Sequence, residues 1–460
     1  MSAPPSPRRR RALTAGGLVL LYLVAWALIR PPLQTPDEPQ HLLKANSVRS
    51  QPWLNAVPDR FVQDRRTANP LALDTPAVLD KLFFKSFNAL AIPEIDQLRA
   101  VPWYSPDGPP LASYERAIAT YPQVYYWAIF GLAEPVIRGL GLSPWDATYV
   151  YRLVTCLLVA MLWGAVWAGL ERAGLAVADA AALFALTLLT PMLGFMASAV
   201  NPDAVNIGLC ALAIVSAWRV LSPADGDAGP AARVTLAASL FAAAMTKPSG
   251  LQLAAVLGAV AVGLALARQV ERRRAAAVVA IAGGVIVTAF AIFYLWQPPR
   301  FMAAGPSADT LGTYLVTRWA SLPVLWEMYW GRLGWLDYAA PAIWYRSMLA
   351  LAVASAACLL WRPRRPVPFA VYLAAVWVLF FGSTFAAEFR YLPEAGYTFQ
   401  GRYLLPAAIA FGVIVLHQVR SVRVALLAGV LTLNVVLARE TVRRYYIDGW
   451  RGVVHALPFR

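Results

Sequence analysis

The sequence predicts an all-α polytopic membrane protein, and three observations lead to this fold class. Hydrophobic residues make up 59% of the 460 positions and the mean hydropathy is +0.54, whereas apolar residues are near half of a soluble protein. Apolar runs close to the 20 residues that a spanning helix needs recur along the chain. Arginines collect in short clusters between these runs, as in cytoplasmic turns. The formal charge of +15 therefore reflects membrane topology, and no nucleic-acid partner is expected.

Twelve apolar segments are visible, and they predict a bundle of about 11–13 transmembrane helices. The first follows Arg8 to Arg11 without a small-x-small cleavage site, so we interpret it as an uncleaved span after a cytoplasmic basic N-terminus, residues 1–11. Residues 12–440 then form a single transmembrane domain, and 441–460 form a short C-terminal tail. The segments lie near 12–29, 121–142, 147–170, 178–200, 203–221, 232–246, 249–267, 276–296, 342–361, 368–387, 403–418 and 422–438.

Two long polar stretches interrupt the apolar pattern. With Arg8 to Arg11 inside, the stretch 30–118 becomes a first outer loop, and fragments such as Val78 to Ala91 suit interfacial helices. The stretch 297–341 becomes a second outer loop. The sequence therefore predicts that most of the polar chemistry faces the outside.

The topology count fails by one crossing between the first outer loop and Asp203. Three apolar segments intervene where an even number is required. Segment 121–142 contains Glu134, Pro135 and Arg138, which a re-entrant or interfacial helix tolerates better than a span does. We predict that this segment does not cross, that the total is odd, and that the C-terminus lies outside.

Several familiar kinds of site are missing from the sequence. Cys156, Cys210 and Cys358 lie inside apolar segments without zinc or disulfide spacing. There is no Walker or dinucleotide loop, no HExxH and no GxSxG motif. A cytoplasmic nucleotide donor is therefore not expected, and no cofactor is required.

The first candidate site is the acidic cluster Thr35 to His41, directly after the first span. Asp37 and His41 are four residues apart and would share one helix face, while Glu38 points about 100° away. Either carboxylate could act as a base. The alternative is a capping box with Thr35 at the N-cap and Glu38 at N3, and the two interpretations are compatible.

Two further candidates lie at breaks between spans. Asn201-Pro202-Asp203 could bind substrate, or it could simply cap the next helix. Lys247 is the only lysine after residue 85, and a compact ammonium suits a phosphate or a carboxylate. A snorkelling lysine is its alternative.

The segment Gln400-Gly401-Arg402-Tyr403 begins the eleventh apolar run at the outer face. A guanidinium beside free helix N–H groups makes a phosphate site, and Gly401 would let the ligand approach closely. An interfacial arginine and tyrosine anchor is the alternative.

The aromatic loop Trp330 to Tyr338 also enters the membrane. The aromatic belt explains most of this loop, although not Arg332 and Asp337. Such a loop could also stack on a sugar ring.

Taken in order, these motifs resemble a bacterial family of predicted polytopic membrane proteins of unknown function. That family is similar to the GT-C glycosyltransferases, which include protein O-mannosyltransferases and lipid A aminoarabinose transferases. The resemblance covers about residues 12–440. It rests on Pro36-Asp37-Glu38-x-x-His41, Tyr121-Pro122-x-x-Tyr125-Tyr126, Asn201-Pro202-Asp203, Lys247-Pro248-Ser249-Gly250, Gly331-x-x-Gly334-Trp335-x-Asp337 and Gln400-Gly401-Arg402-Tyr403-x-x-Pro406.

The resemblance implies an inverting transfer at the extracytoplasmic face of a bacterial inner membrane. The donor would be a polyprenyl-phosphate sugar, and the acceptor a glycan or lipid of the cell envelope. Asp37 would be the catalytic base with Glu38 as its substitute, and Lys247 and Arg402 would hold the leaving phosphate. The remaining candidates for substrate binding are His41, Asn201, Asp203, Arg332, Asp337, Gln400 and Tyr403. A divalent metal is possible at Asp37, Glu38 and Asp203, with His41 as a further ligand, but nothing in the sequence requires it.

Two other functions remain open at the level of sequence. A transporter or flippase of a lipid-linked glycan would use the same basic residues without needing Asp37 as a base, although paired broken helices of an inverted repeat are not evident. A non-catalytic assembly subunit would need none of the polar residues.

Overall fold

The computed structural model describes the chain in twelve stretches separated by gaps. The described residues are 6–32, 35, 38–47, 67–68, 110–111, 124–222, 229–294, 311–333, 338–361, 368–391, 400–416 and 420–443.

The first half of the described chain is helical apart from one short strand pair. Most of its helices begin at a proline, whose missing N–H is harmless in a first turn and whose fixed φ suits it. The elements are α1 (Pro7–Leu28), α2 (Glu38–Ser47), β1 (Thr67–Ala68), β2 (Pro110–Leu111), α3 (Val124–Leu140), α4 (Pro144–Arg172), α5 (Val177–Leu188), α6 (Pro191–Ala197), α7 (Pro202–Leu221), α8 (Pro230–Ala244) and α9 (Pro248–Leu266). Strands β1 and β2 are antiparallel, with Thr67 opposite Leu111.

The second half continues the helical pattern with one further antiparallel pair, in which Arg332 is opposite Ala339. A π-helical turn, Phe290–Tyr294, extends the first of its helices. The elements are α10 (Arg272–Ala289), α11 (Leu311–Trp330), β3 (Arg332–Leu333), β4 (Tyr338–Ala339), α12 (Ala342–Trp361), α13 (Pro368–Tyr391), a 3₁₀ helix (Gly401–Ala407), α14 (Ala408–Phe411), a second 3₁₀ helix (Gly412–Val415) and α15 (Arg420–Val442).

The described helices confirm an all-α polytopic membrane protein. Seven of them are long and apolar enough to cross a bilayer. Helices α5 and α6 form a bent pair that is long and apolar enough when the two are taken together. Three shorter apolar helices accompany them, at Pro230–Ala244, Ala342–Ala357 and Gly401–Val415. Helix α7 lies at the centre of the bundle, with most of its residues buried. The number of helices that cross stays a prediction.

One end of the bundle is held by arginine contacts between helix ends. Arg11 at the start of α1 pairs with Glu171 at the end of α4, at 2.5 Å. Arg423 of α15 forms an ion pair with Asp179 of α5. Arg274 of α10 donates a hydrogen bond to the carbonyl of Ser222, the residue after α7. The basic clusters around Arg11, Arg274 and Arg423, predicted to be cytoplasmic, therefore meet at one end.

Helix α3 packs along the first part of α4. At its start, the Tyr125 hydroxyl contacts Thr155 of α4 at 3.0 Å, and at its end it turns directly into the beginning of α4. Glu134 and Arg138 pair with each other along its surface at 2.8 Å. Helix α3 is not among the described helices that are long and apolar enough to cross a bilayer. That it does not cross remains a prediction.

The predicted span 178–200 is wrong as a single helix. It breaks between α5 and α6, which meet at 67°, because Pro191 cannot donate the backbone bond that would continue α5. The amide of Asn434 on α15 donates to the Leu189 carbonyl at this break. The same amide accepts a hydrogen bond from the Tyr22 hydroxyl of α1 at 2.7 Å, so three elements meet at the kink.

The predicted span 403–418 is not a regular α-helix either. Residues Gly401–Val415 form 3₁₀, α and 3₁₀ segments in succession, with Pro406 inside the first. Because a 3₁₀ helix rises about 2.0 Å per residue, these few residues extend about 28 Å, close to the thickness of a hydrocarbon core.

The polar stretch 297–341 contains the 20-residue helix α11, which sequence analysis treated as loop. Its later half carries Trp326, Tyr329 and Trp330, which pack around Phe411 and Trp377. The aromatic residues of α11 therefore pack inside the bundle, although the stretch 297–341 as a whole is polar.

Candidate functional site

The end of the bundle opposite the arginine contacts holds a buried ion pair between Glu38 and Arg152. Nε and one terminal nitrogen of Arg152 donate to the two oxygens of Glu38 at 2.7 and 2.6 Å, and both side chains are fully buried. The Val200 amide also donates to Glu38, at 3.1 Å. Burial acts to raise the pKa of Glu38, but Arg152, Arg30 and the Val200 amide outweigh it and hold the pKa low. Glu38 is therefore an ionised, fully engaged carboxylate.

The arrangement around Glu38 differs from a capping box. Described helix α2 begins at Glu38, whose carboxylate turns to Arg152 and Val200, and whose backbone N–H donates to the Thr35 carbonyl at 3.1 Å. The Thr35 hydroxyl accepts from Arg30 at 2.6 Å. In place of the expected capping box, Glu38 therefore binds Arg152 and Thr35 binds Arg30.

Arg30 ties the end of α1 to the segment after α6. It donates to the carbonyl oxygens of Phe195 and Ser198 at 2.7 and 3.0 Å, and to the Ser198 hydroxyl at 2.9 Å. Its guanidinium also lies 4.3 Å from the centre of the Phe195 ring. The C-terminal end of α6 thus directs free carbonyl groups toward a buried cation.

The starts of α7 and α9 lie side by side. Asn201 is the N-cap of α7, and its Oδ1 accepts from the Asp203 amide at 2.8 Å, so the predicted cap is present. Asp203 pairs with Lys247 at 2.5 Å, with both side chains mostly buried, and Asn206 donates to Ser249 at 2.8 Å. Two sequence motifs 44 residues apart therefore form one polar surface.

The 3₁₀ helix Gly401–Ala407 brings Arg402 and Tyr403 to the same surface. The Tyr403 ring lies 5.8 Å from both Lys247 Nζ and Arg402 Cζ. Arg402 is buried beside the Met196 sulfur, at 3.9 Å.

The role expected for Gly401 is wrong. A Cβ at Gly401 would lie 2.2 Å from the Leu325 carbonyl oxygen and 2.5 Å from the Tyr329 amide nitrogen. The missing side chain therefore allows close approach of α11, not of a ligand.

His41 completes the cluster from helix α2. Its Nδ1 lies 2.7 Å from the Tyr126 hydroxyl of α3, and Lys44 Nζ lies 5.1 Å from the centre of the Tyr126 ring. Burial lowers the pKa of His41 well below its usual value, and the charges of Lys247, Lys44 and Arg402 lower it further. Burial also lowers the pKa of Lys44 strongly. His41 is therefore a neutral imidazole facing three basic groups.

We define the cation cluster as Arg30, Lys44, Arg152, Lys247 and Arg402. Within the described part of the chain, Glu38 is paired with Arg152 and Asp203 with Lys247. Basic groups that are clustered in a low-dielectric site attract an anion.

An apolar cavity of about 500 Å³ lies beside the same 3₁₀ helix, between α11, α12 and α13. Leu404 lines it two residues after Arg402. Its other walls include Leu322, Trp326, Tyr345, Trp377 and Phe381.

The remaining predicted residues lie elsewhere or outside the described part. Asp37 and Asp337 fall outside the described residues. Arg332 lies on β3, and its guanidinium is 3.6 Å from Glu327 of α11. Trp330, at the start of the aromatic loop, is fully buried, and sugar stacking by this loop stays a prediction.

No metal site forms among the side chains that the structure describes. No three His, Cys, Asp or Glu side chains come together there, because Glu38 and Asp203 are each paired with a cation.

The sequence did not predict four members of the site, Arg30, Lys44, Tyr126 and Arg152. A signal existed for Arg152, because an arginine inside the apolar segment 147–170 is costly and marks a functional or structural contact. Lys44 follows His41 by three residues and shares its helix face. Arg30 resembled an ordinary residue at the end of a span.

The fold and this site define a polytopic membrane protein with a buried cationic site at one end of its helical bundle. Residues 20–410 match the family described as "Predicted membrane protein (DUF2142)". The chain belongs to this family, as the resemblance in its motifs predicted.

Among solved structures, the chain is similar to ArnT from Cupriavidus metallidurans. For the crystal structure bound to undecaprenyl phosphate, the TM-score is 0.38 and the identity 16%, covering 93% of this chain and 77% of that one. For the apo crystal structure, the TM-score is 0.39 and the identity 17%, covering 94% and 78%. No curated protein matches the sequence.

Proposed function

We propose that this protein is an inverting, GT-C-type glycosyltransferase that uses a sugar linked to a polyprenyl phosphate. The observation that carries the proposal is the position of Lys247 and Arg402, whose charged groups each lie 5.8 Å from the centre of the Tyr403 ring. A lipid phosphate placed there would meet charge-assisted donors from two separate elements, the start of α9 and the 3₁₀ helix. The apolar cavity beside Leu404 supports a ligand that also carries a hydrocarbon chain.

The proposed reaction is a direct displacement. An acceptor hydroxyl of a cell-envelope glycan or lipid attacks the anomeric carbon, the bond from that carbon to the phosphate oxygen breaks, and the phosphate leaves with the electron pair. The acceptor proton passes to a carboxylate, for which we propose Asp37. Glu38 is a positioning residue in this scheme because both of its oxygens bind Arg152. The cations stabilise the charge that develops on the leaving phosphate.

The proposed orientation places the site at the extracytoplasmic face of a bacterial inner membrane. The contacts of Arg11, Arg274 and Arg423 lie at the opposite end of the bundle, and basic residues favour the cytoplasmic side. A donor that is already outside would reach the cluster without a soluble nucleotide.

Sugar transfer in proteoliposomes supplied with a polyprenyl-phosphate sugar tests this function. Asp37→Asn is expected to reduce turnover by about 10²-fold or more with little change in donor binding. Lys247→Gln and Arg402→Gln are expected to reduce turnover and also to weaken donor binding. Arg273→Gln, an exposed arginine near the other end of the bundle, is the control. Undiminished transfer by Asp37→Asn would remove the catalytic role.

A transporter or flippase of a lipid-linked glycan is the second candidate. It is favoured by the engagement of Glu38, the one described carboxylate of the acidic cluster, in an ion pair. The same proteoliposomes decide between the two, because a flippase would move the lipid across the bilayer with Asp37→Asn as fast as without it and would form no new glycoside.

A further inference from the structure

Two residues of the site each carry a buried polar atom without a hydrogen-bond partner among the described residues. They are Nδ2 of Asn201, whose residue is 1% exposed, and Oε1 of Gln400. Leaving such an atom unpaired is costly, and buried polar groups are rarely unpaired. Asn201 caps α7 and Gln400 caps the 3₁₀ helix, so both stand where the site segments begin.

The orientation of the Asn201 amide is fixed by its capping bond. Because Oδ1 accepts from the Asp203 amide at 2.8 Å, the remaining group must be the Nδ2 donor. The preceding residue, Val200, binds Glu38 through its amide. Asn201 therefore holds a rigid N–H donor between the buried Glu38 pair and the pair of Asp203 with Lys247.

Gln400 directly precedes the 3₁₀ helix that carries Tyr403. Its side chain makes no capping bond, while its backbone carbonyl accepts from the Tyr403 amide at 2.9 Å. The Tyr403 ring lies 5.8 Å from Lys247 Nζ. The contacts thus run in sequence from Asn201 through Asp203, Lys247 and Tyr403 to Gln400, with an unpaired donor at one end and an unpaired acceptor at the other.

The two atoms distinguish between possible ligand groups. An ionised phosphate offers only acceptors, so it could satisfy Asn201 Nδ2 but not Gln400 Oε1. A hydrocarbon chain satisfies neither. A hydroxyl group both donates and accepts, and a polyhydroxylated ring carries several of them at fixed spacing.

We propose that Asn201 and Gln400 form a hydroxyl-recognition subsite for the sugar of a bound sugar phosphate. Asn201 Nδ2 donates to one sugar oxygen and a sugar hydroxyl donates to Gln400 Oε1, while the phosphate lies against Lys247 and Arg402. This inference rests on the proposed function, and it makes these two residues determinants of sugar specificity.

The test compares two ligands with two variants. Asn201→Ser keeps an N-cap residue but removes the amide donor, and Gln400→Met keeps the length of the side chain but removes the acceptor. Affinities of the detergent-purified protein are measured for a polyprenyl phosphate and for the same lipid carrying a sugar. Each variant is expected to bind the sugar-bearing lipid about 3- to 10-fold more weakly, the worth of one hydrogen bond, and the sugar-free lipid unchanged.

Gln252→Met is the matched control. Gln252 binds Ser383 and Thr384 between α9 and α13, so its replacement should leave the ratio of the two affinities unchanged. If a variant does not fold, deoxygenated sugars replace it: removing the recognised hydroxyl from the ligand should cost the wild-type protein the same factor.

Two results would overturn the subsite. Equal weakening of both lipids by Asn201→Ser and Gln400→Met would assign these residues a structural role, and no change for either lipid would mean that water alone occupies the position. Failure of the proposed function has a different signature, because Lys247→Gln and Arg402→Gln would then leave the affinity for the sugar-free lipid phosphate unaltered.

Discussion

Arg152 has the most complete set of hydrogen bonds of any described side chain in the site. All five of its N–H groups are used: two bind Glu38, and the others bind the carbonyl oxygens of Ala27, Arg30 and Pro31. One side chain therefore fixes both the end of α1 and the start of α2.

Glu38→Gln should destabilise the protein strongly, by about 3–5 kcal/mol, because it leaves the buried Arg152 charge without its counter-ion. The measurement is the thermal midpoint in detergent, followed by tryptophan fluorescence. Arg273→Gln breaks an exposed pair with Glu271 and should leave the midpoint unchanged. Equal midpoints for Glu38→Gln and the wild type would contradict the positioning role.

His41 should make stability depend on pH. Its pKa in the folded protein lies well below the value of 6.5 that it has when unfolded, so the unfolded chain binds more protons and stability falls as the pH drops below about 6.5. The groups facing His41 are Lys44, Lys247, Arg402 and Tyr126. The lowered pKa of Lys44 acts from about 10.5 downward and is common to the wild type and a His41 variant, and that of Glu38 acts below about 4.5.

Melting His41→Gln and the wild type at pH 7.5 and 5.5 tests this dependence. The wild type should lose more stability than the variant between the two values. An identical loss in both proteins would show that His41 is not the group responsible.

At the scale of elements, the apolar runs located most helices, and prolines such as Pro202 and Pro248 marked where helices begin. Pro191 was a local signal for the break before α6, where the freed Leu189 carbonyl binds Asn434. Two other features depended on contacts that no local pattern contains. The aromatic face of α11 packs on Phe411. The Glu38 pair with Arg152 joins residues 114 positions apart.

Gly401→Ala tests the packing of the 3₁₀ helix against α11. The added carbon would overlap the Leu325 carbonyl, and overpacking of this kind costs about 1–3 kcal/mol. The thermal midpoint should therefore fall. Gly382→Ala in α13 is the control, since its Cβ would have nothing within 4 Å and alanine favours a helix. A midpoint for Gly401→Ala at or above that of Gly382→Ala would contradict the packing.

For the whole molecule, composition and the positions of arginines were enough to predict an all-α membrane protein with its charge clusters at one end. The candidate site was predictable only in part. As expected, the site brings together Lys247, Asp203, Arg402 and Tyr403. The sequence motifs did not predict the hydrogen bonds that Arg152 and Arg30 make to other helices of the bundle. Their bonds depend on helix packing.

The proposed orientation predicts a labelling pattern in intact cells and inverted membrane vesicles. A cysteine replacing Leu140, exposed at the end of α3, should react with a membrane-impermeant maleimide from outside. A cysteine replacing Arg273 should react only in inverted vesicles. The native Cys156 and Cys210 are buried and should contribute little background, and the third cysteine, Cys358, is replaced by serine in both proteins. Labelling of both cysteines from one side would contradict the opposed ends.

The most direct test of the central claim is the position of the phosphorus atom in an experimental structure of the protein with a bound polyprenyl phosphate. Phosphate oxygens are predicted to lie about 2.7–3.0 Å from donors of Lys247 and Arg402, with the chain entering the cavity beside Leu404. A phosphate bound away from both residues would contradict the proposed site.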